Sequence, residues 1–176
     1  MGVLIVTGSP GAGKTTTARI VAERFERAVH VESDVFFHWI RSGFIEPWKP
    51  ESQAQNASVM QIVASVAAGY AGDGYFTVVD GIVLPRWYFE PLRDALRAAG
   101  HGVAYAVLRA PLDVCAERAA GRDALPLADR ETLEHMWRQF ADLGALESHA
   151  IDAADRSPAE VAETVLRRLG DGSLDV

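Results

Sequence analysis

Two hydrophobic rhythms alternate along this chain. Short, nearly unbroken apolar runs, the pattern of a strand buried on both faces, occur at 3–7, 28–31, 75–81, 103–108 and 149–153. Between them, apolar residues recur every three or four positions over 14–26, 35–41, 52–71, 87–99, 112–119, 129–143 and 158–169, and Ala18, Val21, Ala22 and Phe25 share one helical face. Breakers and caps fall at the joints. Gly43, Pro47 and Pro50 make 42–50 a loop, Gly72-Asp73-Gly74 ends the longest helix, and Gly121 to Pro126 reads as another loop. Ser33 or Asp34 is placed to cap the short helix at 35–41, and Ser157-Pro158-Ala159-Glu160 combines a capping box with proline at the first helical position. Strand and helix alternate from end to end, which predicts an α/β fold with a mostly parallel sheet and helices on both faces. No repeat, low-complexity tract or linker divides the chain, so residues 1–176 read as a single domain.

The first joint carries the strongest chemical signal. Gly8-Ser9-Pro10-Gly11-Ala12-Gly13-Lys14-Thr15 links the strand at 3–7 to the helix that continues through Thr16, the G-x-x-x-x-G-K-[ST] pattern in strand–loop–helix context. Its glycines let successive N–H groups converge on one point, and the helix start adds unpaired donors and the positive end of a dipole. The pattern predicts a polyphosphate site, with Lys14 on the β/γ-phosphates and the Thr15 hydroxyl on Mg²⁺. Lys14 and Lys49 are the only lysines, so one of two stands where that chemistry needs it.

In an open parallel sheet, ligands sit beyond the carboxyl ends of the strands. Asp34, Asp80 and Arg109 follow the second, third and fourth strands, so they should meet the glycine loop in one cleft. Asp80, closing Phe76-Thr77-Val78-Val79, has the form of a Walker B acid for Mg²⁺, with the cap of a turn as its plainer reading. Asp34 is placed to accept a proton from an attacking hydroxyl, and capping a helix does not exclude that role. Arg118 and Arg122 flank Gly121 around a helix end, where guanidinium groups from a closing loop would stabilise a phosphoryl transition state; the alternative is a solvated pair. Arg130 and Arg138 suit the polar face of a helix. Phe36, Phe37, His38, Trp39, Phe44 and Trp48 fit either an acceptor pocket or core, and Gln55 and Asn56 are candidates to hydrogen-bond an acceptor.

Composition narrows the picture. With 49% hydrophobic and 23% charged residues the chain reads as an ordinary soluble domain, and a net charge of −7 without a basic stripe argues against nucleic acid as a partner. A lone cysteine, Cys115, excludes an internal disulfide and suits the reducing cytoplasm. The N-terminal apolar run reads as a core strand, not a signal peptide, and the stretch 59–70 is too short and interrupted to span a bilayer, so no membrane partner is expected. The histidines at 30, 38, 101, 135 and 149 are scattered, without structural-metal spacing.

Taken together, GSPGAGKTT, the ESD after the second strand, VVDG after the third and VLRAPLDVCAERAAGRD resemble the small P-loop kinases. That group includes chloramphenicol phosphotransferase, gluconate and shikimate kinases, zeta-toxin kinases and nucleoside monophosphate kinases, and the likeness is greatest to chloramphenicol phosphotransferase-like and AAA-labelled P-loop proteins. The resemblance covers nearly the whole chain. It implies a three-layer P-loop NTPase fold, nucleoside/shikimate-kinase-like, with a five-stranded parallel sheet and a short arginine-bearing lid at about 119–129. It also implies ATP with Mg²⁺, Asp34 as base, and the adenine near 152–157. Residues 41–52 match no familiar acceptor site, and no paired arginines of a nucleoside monophosphate clamp are evident.

The expectation is an ATP-dependent kinase acting on the hydroxyl of a small molecule, with antibiotics and other metabolites among the candidates, as a monomer or homodimer. Lys14, Asp34, Arg118 and Arg122 would be catalytic, Gly8 to Thr16 would hold nucleotide, and Thr15 and Asp80 would hold the metal. A nucleoside monophosphate kinase and a regulatory ATP-binding module stay open as alternatives. A GTPase is disfavoured because neither lysine lies in an Asn-Lys-x-Asp stretch.

Overall fold

In the computed structural model, which describes residues 2–85, 87–120 and 130–176, each apolar run becomes a strand: β1 (Gly2–Gly8), β2 (Ala28–Glu32), β3 (Phe76–Asp80), β4 (Gly102–Arg109) and β5 (Ala150–Asp152). All pairings are parallel, and the strand order is β2-β3-β1-β4-β5. The helices are α1 (Lys14–Ala22), α2 (Ser33–His38), α3 (Gln53–Gly72), α4 (Phe89–Ala98), α5 (Leu112–Ala120), α6 (Arg130–Arg138) and α7 (Pro158–Gly170).

The period-two geometry of a strand divides the core. On β1, Val3 and Ile5 join the cluster under α3 and α4, whereas Leu4 and Val6 join the cluster under α1 and α7. Each of these four side chains is at most 1% exposed, and burial of such a side chain contributes about 1.5–3 kcal/mol. The central strand thereby fixes the floor of the glycine loop that follows it. Among the described residues no helix is long and apolar enough to cross a membrane.

Several boundaries move, each for a local reason. Helix α1 stops at Ala22 rather than 26, because Arg24 and Phe25 donate to carbonyls three residues back and Phe25 turns to stack on Phe76 at 3.9 Å. Helix α2 begins at Ser33, so neither Ser33 nor Asp34 is its cap; Glu32 holds that position without a side-chain bond. Trp87 and Tyr88 stay outside α4: Trp87 bridges to Leu84, and Tyr88 takes a left-handed φ of 63°. Helix α6 ends at Arg138 rather than 143, and Phe140 and Leu143 fold into the core. The capping box at Ser157 and Glu160 forms as expected. Most of the expected lid at 119–129, with Arg122, lies outside the described residues.

Candidate active site

The register aligns the carboxyl ends. Val6 of β1 pairs with Asp80 of β3, Asp80 with Glu32 of β2, and Gly8 with Leu108 of β4. The glycine loop therefore leaves the sheet beside Asp80, while α2 starts one residue after Glu32. Gly11 has a left-handed φ of 79°, and a Cβ there would collide with the Cys115 carbonyl, so only glycine lets the loop lie against α5. Gly81 plays a similar part across the cleft, where a Cβ would strike the Ser33 hydroxyl. Its bare backbone lets α2 approach β3, which brings Asp34 towards Asp80.

Lys14 is buried, and its ammonium donates to the Ser9 carbonyl at 3.1 Å, folding the side chain back over the loop. The Thr15 hydroxyl donates to Asp80 Oδ1 at 3.3 Å. Asp80 is 2% exposed, and its other oxygen, Oδ2, meets His30 Nε2. A hydroxyl and a carboxylate side by side are the hard oxygen donors that Mg²⁺ takes when phosphates and water fill its remaining positions. Among the described residues no group of three or more His, Cys, Asp or Glu forms a self-sufficient metal site.

Asp34 opens to the cleft at the start of α2. Crowding by the cleft walls raises its carboxyl above the ordinary range; Lys14 pulls it down, Asp80 pushes it up and His38 pulls it down again.

The cleft holds about 1090 Å³ and runs from Pro10, Lys14 and Thr15 past Asp34 to an aromatic end. Of the six sequence candidates there, Phe37, His38 and Trp48 line it. Phe36 packs into the core, Phe44 packs against it, and Trp39 is 64% exposed beside Phe36. Trp87, Tyr88, Met60, His135 and Gln139 also line the cleft and were not anticipated. The two aromatics were hidden by the helical pattern that swallowed them, although Leu84-Pro85 just before them marks a break.

Gln55 and Asn56 part company. Gln55 clasps the loop, accepting from Ile45 N at 2.9 Å and donating to Ile45 O at 2.7 Å. Asn56 lines the cleft, 1% exposed, with Nδ2 donating to Pro47 O and Ser52 Oγ, both at 2.8 Å. The Pro47 carbonyl only accepts, which fixes the orientation of the amide, and Asn56 Oδ1 is left buried without a partner.

The arginines are mostly engaged elsewhere. Arg118 donates to the carbonyls of Ala153 and Ala154 at 3.1 and 2.9 Å, tying α5 to the loop after β5. Arg109 forms a two-pronged pair with Glu147 at 2.6 and 3.0 Å, so it braces the segment before β5 instead of facing the cleft. Arg130 pairs with Asp113 at 2.7 Å on the surface, and Arg138 lines the cleft while paired with Glu134.

The sequence pattern of the AAA domain family matches residues 3–143. The chain belongs to the AAA domain family. No curated protein sequence matches it significantly. Among solved structures, this AAA domain is similar to the Deinococcus radiodurans tunicamycin resistance protein, at 22% identity and a TM-score of 0.72 over 96% of this chain and 95% of that one. It is also similar to the Mycobacterium tuberculosis APS kinase solved with AMPPNP and APS, at 21% identity and a TM-score of 0.73 over 96% and 97%. Shikimate kinase from Acinetobacter baumannii gives 17% identity and a TM-score of 0.69 over 99% and 96%. The fold is therefore that of the small P-loop kinases.

Proposed function

We propose that this protein is an ATP-dependent kinase that moves the γ-phosphoryl group of ATP to a hydroxyl of a small molecule. The observation that carries the reading is that Asp34 lines one cleft with Lys14 and with Thr15, whose hydroxyl is bonded to Asp80. The amides from Gly8 to Thr16 and the Lys14 ammonium would hold the triphosphate, and Thr15 and Asp80 would hold Mg²⁺, whose charge offsets that of the phosphates. Asp34 accepts the proton of the acceptor hydroxyl as its oxygen bonds to the γ-phosphorus and the bond to the bridging oxygen of ADP breaks. Arg122 would bring positive charge from the lid. Arg118 would join it only by releasing Ala153 and Ala154, so its resting role is to hold that loop.

The acceptor end favours an uncharged body with a ring or apolar face. Trp48, Trp87, Tyr88 and Met60 line it together with the acids Glu90 and Asp142, and two of its cations, Lys49 and Arg138, are already paired with Glu46 and Glu134. Among the described residues this supports an antibiotic-like or related metabolite, as in chloramphenicol phosphotransferase, over a nucleoside monophosphate, whose phosphate needs a cation clamp.

The test is a screen of neutral hydroxylated metabolites, chloramphenicol included, beside a panel of nucleoside monophosphates, with ADP release as the readout. Phosphorylation of a neutral alcohol that Asp34→Asn abolishes, with nucleotide still bound, supports the reading. Transfer to monophosphates alone, or full activity of Asp34→Asn, removes it.

A further inference from the structure

His30 lies on β2 and takes no part in the cleft wall, yet it touches the most buried acid of the site. In register it sits opposite Val78, two residues before Glu32 and Asp80 come level. From there its Nε2 reaches Asp80 Oδ2, while Thr15 Oγ1 reaches Oδ1 of the same carboxylate. The two side chains that meet are well enclosed, 14% exposed for His30 and 3% for Asp80. Two elements thus hold the two oxygens of one carboxylate separately. The other ring nitrogen, Nδ1, lies 3.9 Å from Glu32 Oε1, beyond hydrogen-bond reach, so the contact with Asp80 is the one that fixes the ring.

We propose that His30 is a positioning residue for the metal-holding carboxylate. By donating to Oδ2 it stops Asp80 from rotating about its last bond, and it keeps Oδ1 turned to Thr15 and the glycine loop. A metal–nucleotide complex then meets two oxygens already in place. The proposal rests on the reading of Asp80 as a Mg²⁺ ligand. Partners that orient a ligating group are worth about 10–100-fold in metal affinity, far more than a solvent-exposed ion pair contributes. A histidine that only tied β2 to β3 would affect the melting temperature and nothing else.

The experiment measures binding of a fluorescent non-hydrolysable ATP analogue to the full chain, titrated with MgCl₂ and repeated in EDTA. His30→Ala should raise the Mg²⁺ concentration for half-saturation by about tenfold or more while leaving the EDTA affinity unchanged. His30→Gln, whose amide can still donate, should recover part of the loss. His30→Asn, polar but too short to reach Oδ2, should behave like alanine and serves as the test if alanine does not fold. Asp80→Asn separates the two layers of the argument. If Asp80→Asn shifts the Mg²⁺ dependence and neither His30→Ala nor His30→Asn does, the positioning role is overturned. If Asp80→Asn leaves the dependence unchanged, the metal assignment of Asp80 is what fails, and the role of His30 falls with it.

Discussion

The two ends of the cleft are built on different principles. The phosphate end is made from backbone, short side chains and one lysine, all set by the register of β1, β2 and β3 and by glycines that permit close approach. The acceptor end is made from large side chains drawn from α2, the loop 42–50, the start of α3, the turn before α4 and α6. It carries the features a packed core avoids: a buried oxygen without a partner at Asn56 and a left-handed φ at Tyr88. On the proposed function, the phosphate end would present the same donors to any triphosphate. The acceptor end would decide which molecule is phosphorylated, and small changes of side chain there would retune it without disturbing the fold.

That contrast is tested first at the boundary between the two ends. Asp34→Asn should lower the rate of phosphoryl transfer by about 10²–10⁴-fold, the usual share of a general base, with nucleotide affinity intact in a calorimetric titration. Gly11→Ala attacks the phosphate end through its backbone. The methyl group meets the Cys115 carbonyl at a left-handed φ, so the variant should lose about 1–3 kcal/mol of stability in a denaturant melt and bind nucleotide more weakly. Trp48→Ala attacks the other end: the KM for the acceptor should rise by about tenfold, the value of burying one large apolar side chain, with the KM for ATP unchanged. An equal rise in both constants would break the division between the ends.

How much of this was legible in the sequence follows the same line. The glycine loop, Asp80 and Asp34 could be read because each sits within a few residues of a strand end, where the topology of a parallel sheet dictates its position. The strand pattern was legible for a similar reason, since burial on both faces leaves a continuous apolar run. The acceptor wall was not, because it joins residues as distant as Phe37, Trp87 and Gln139, and their meeting depends on how loops close over the sheet. Trp87 and Tyr88 fitted a helical period, but Tyr88 takes a left-handed φ and the helix begins only after it. His30 read only as one of five scattered histidines because its significance lies in a contact across the sheet with Asp80, which strand spacing alone does not disclose. Arg118 and Arg109 illustrate the reverse: the position of Arg118 suggested phosphate and that of Arg109 the cleft, and carbonyls and Glu147 occupy them.

The smallest expected effect concerns pH. Because the folded protein raises the proton affinity of Asp34, the ionised form is held at a cost that is absent at acid pH and grows as pH rises from the unfolded value through the folded one. Asp34→Asn should therefore raise the melting temperature slightly at neutral pH and lose that advantage below about pH 4. For the same reason the acid limb of the transfer rate should lie above the range of an ordinary carboxylate, and a limb at or below that range would separate Asp34 from proton transfer.

The account depends most on the phosphate end being ready to grip a triphosphate. Calorimetric titration of the purified chain with AMPPNP in the presence of Mg²⁺ tests this directly, with Lys14→Ala in parallel. The account predicts saturable binding at one nucleotide per chain, strongly weakened in Lys14→Ala. Absence of binding, or binding indifferent to Lys14, would contradict it.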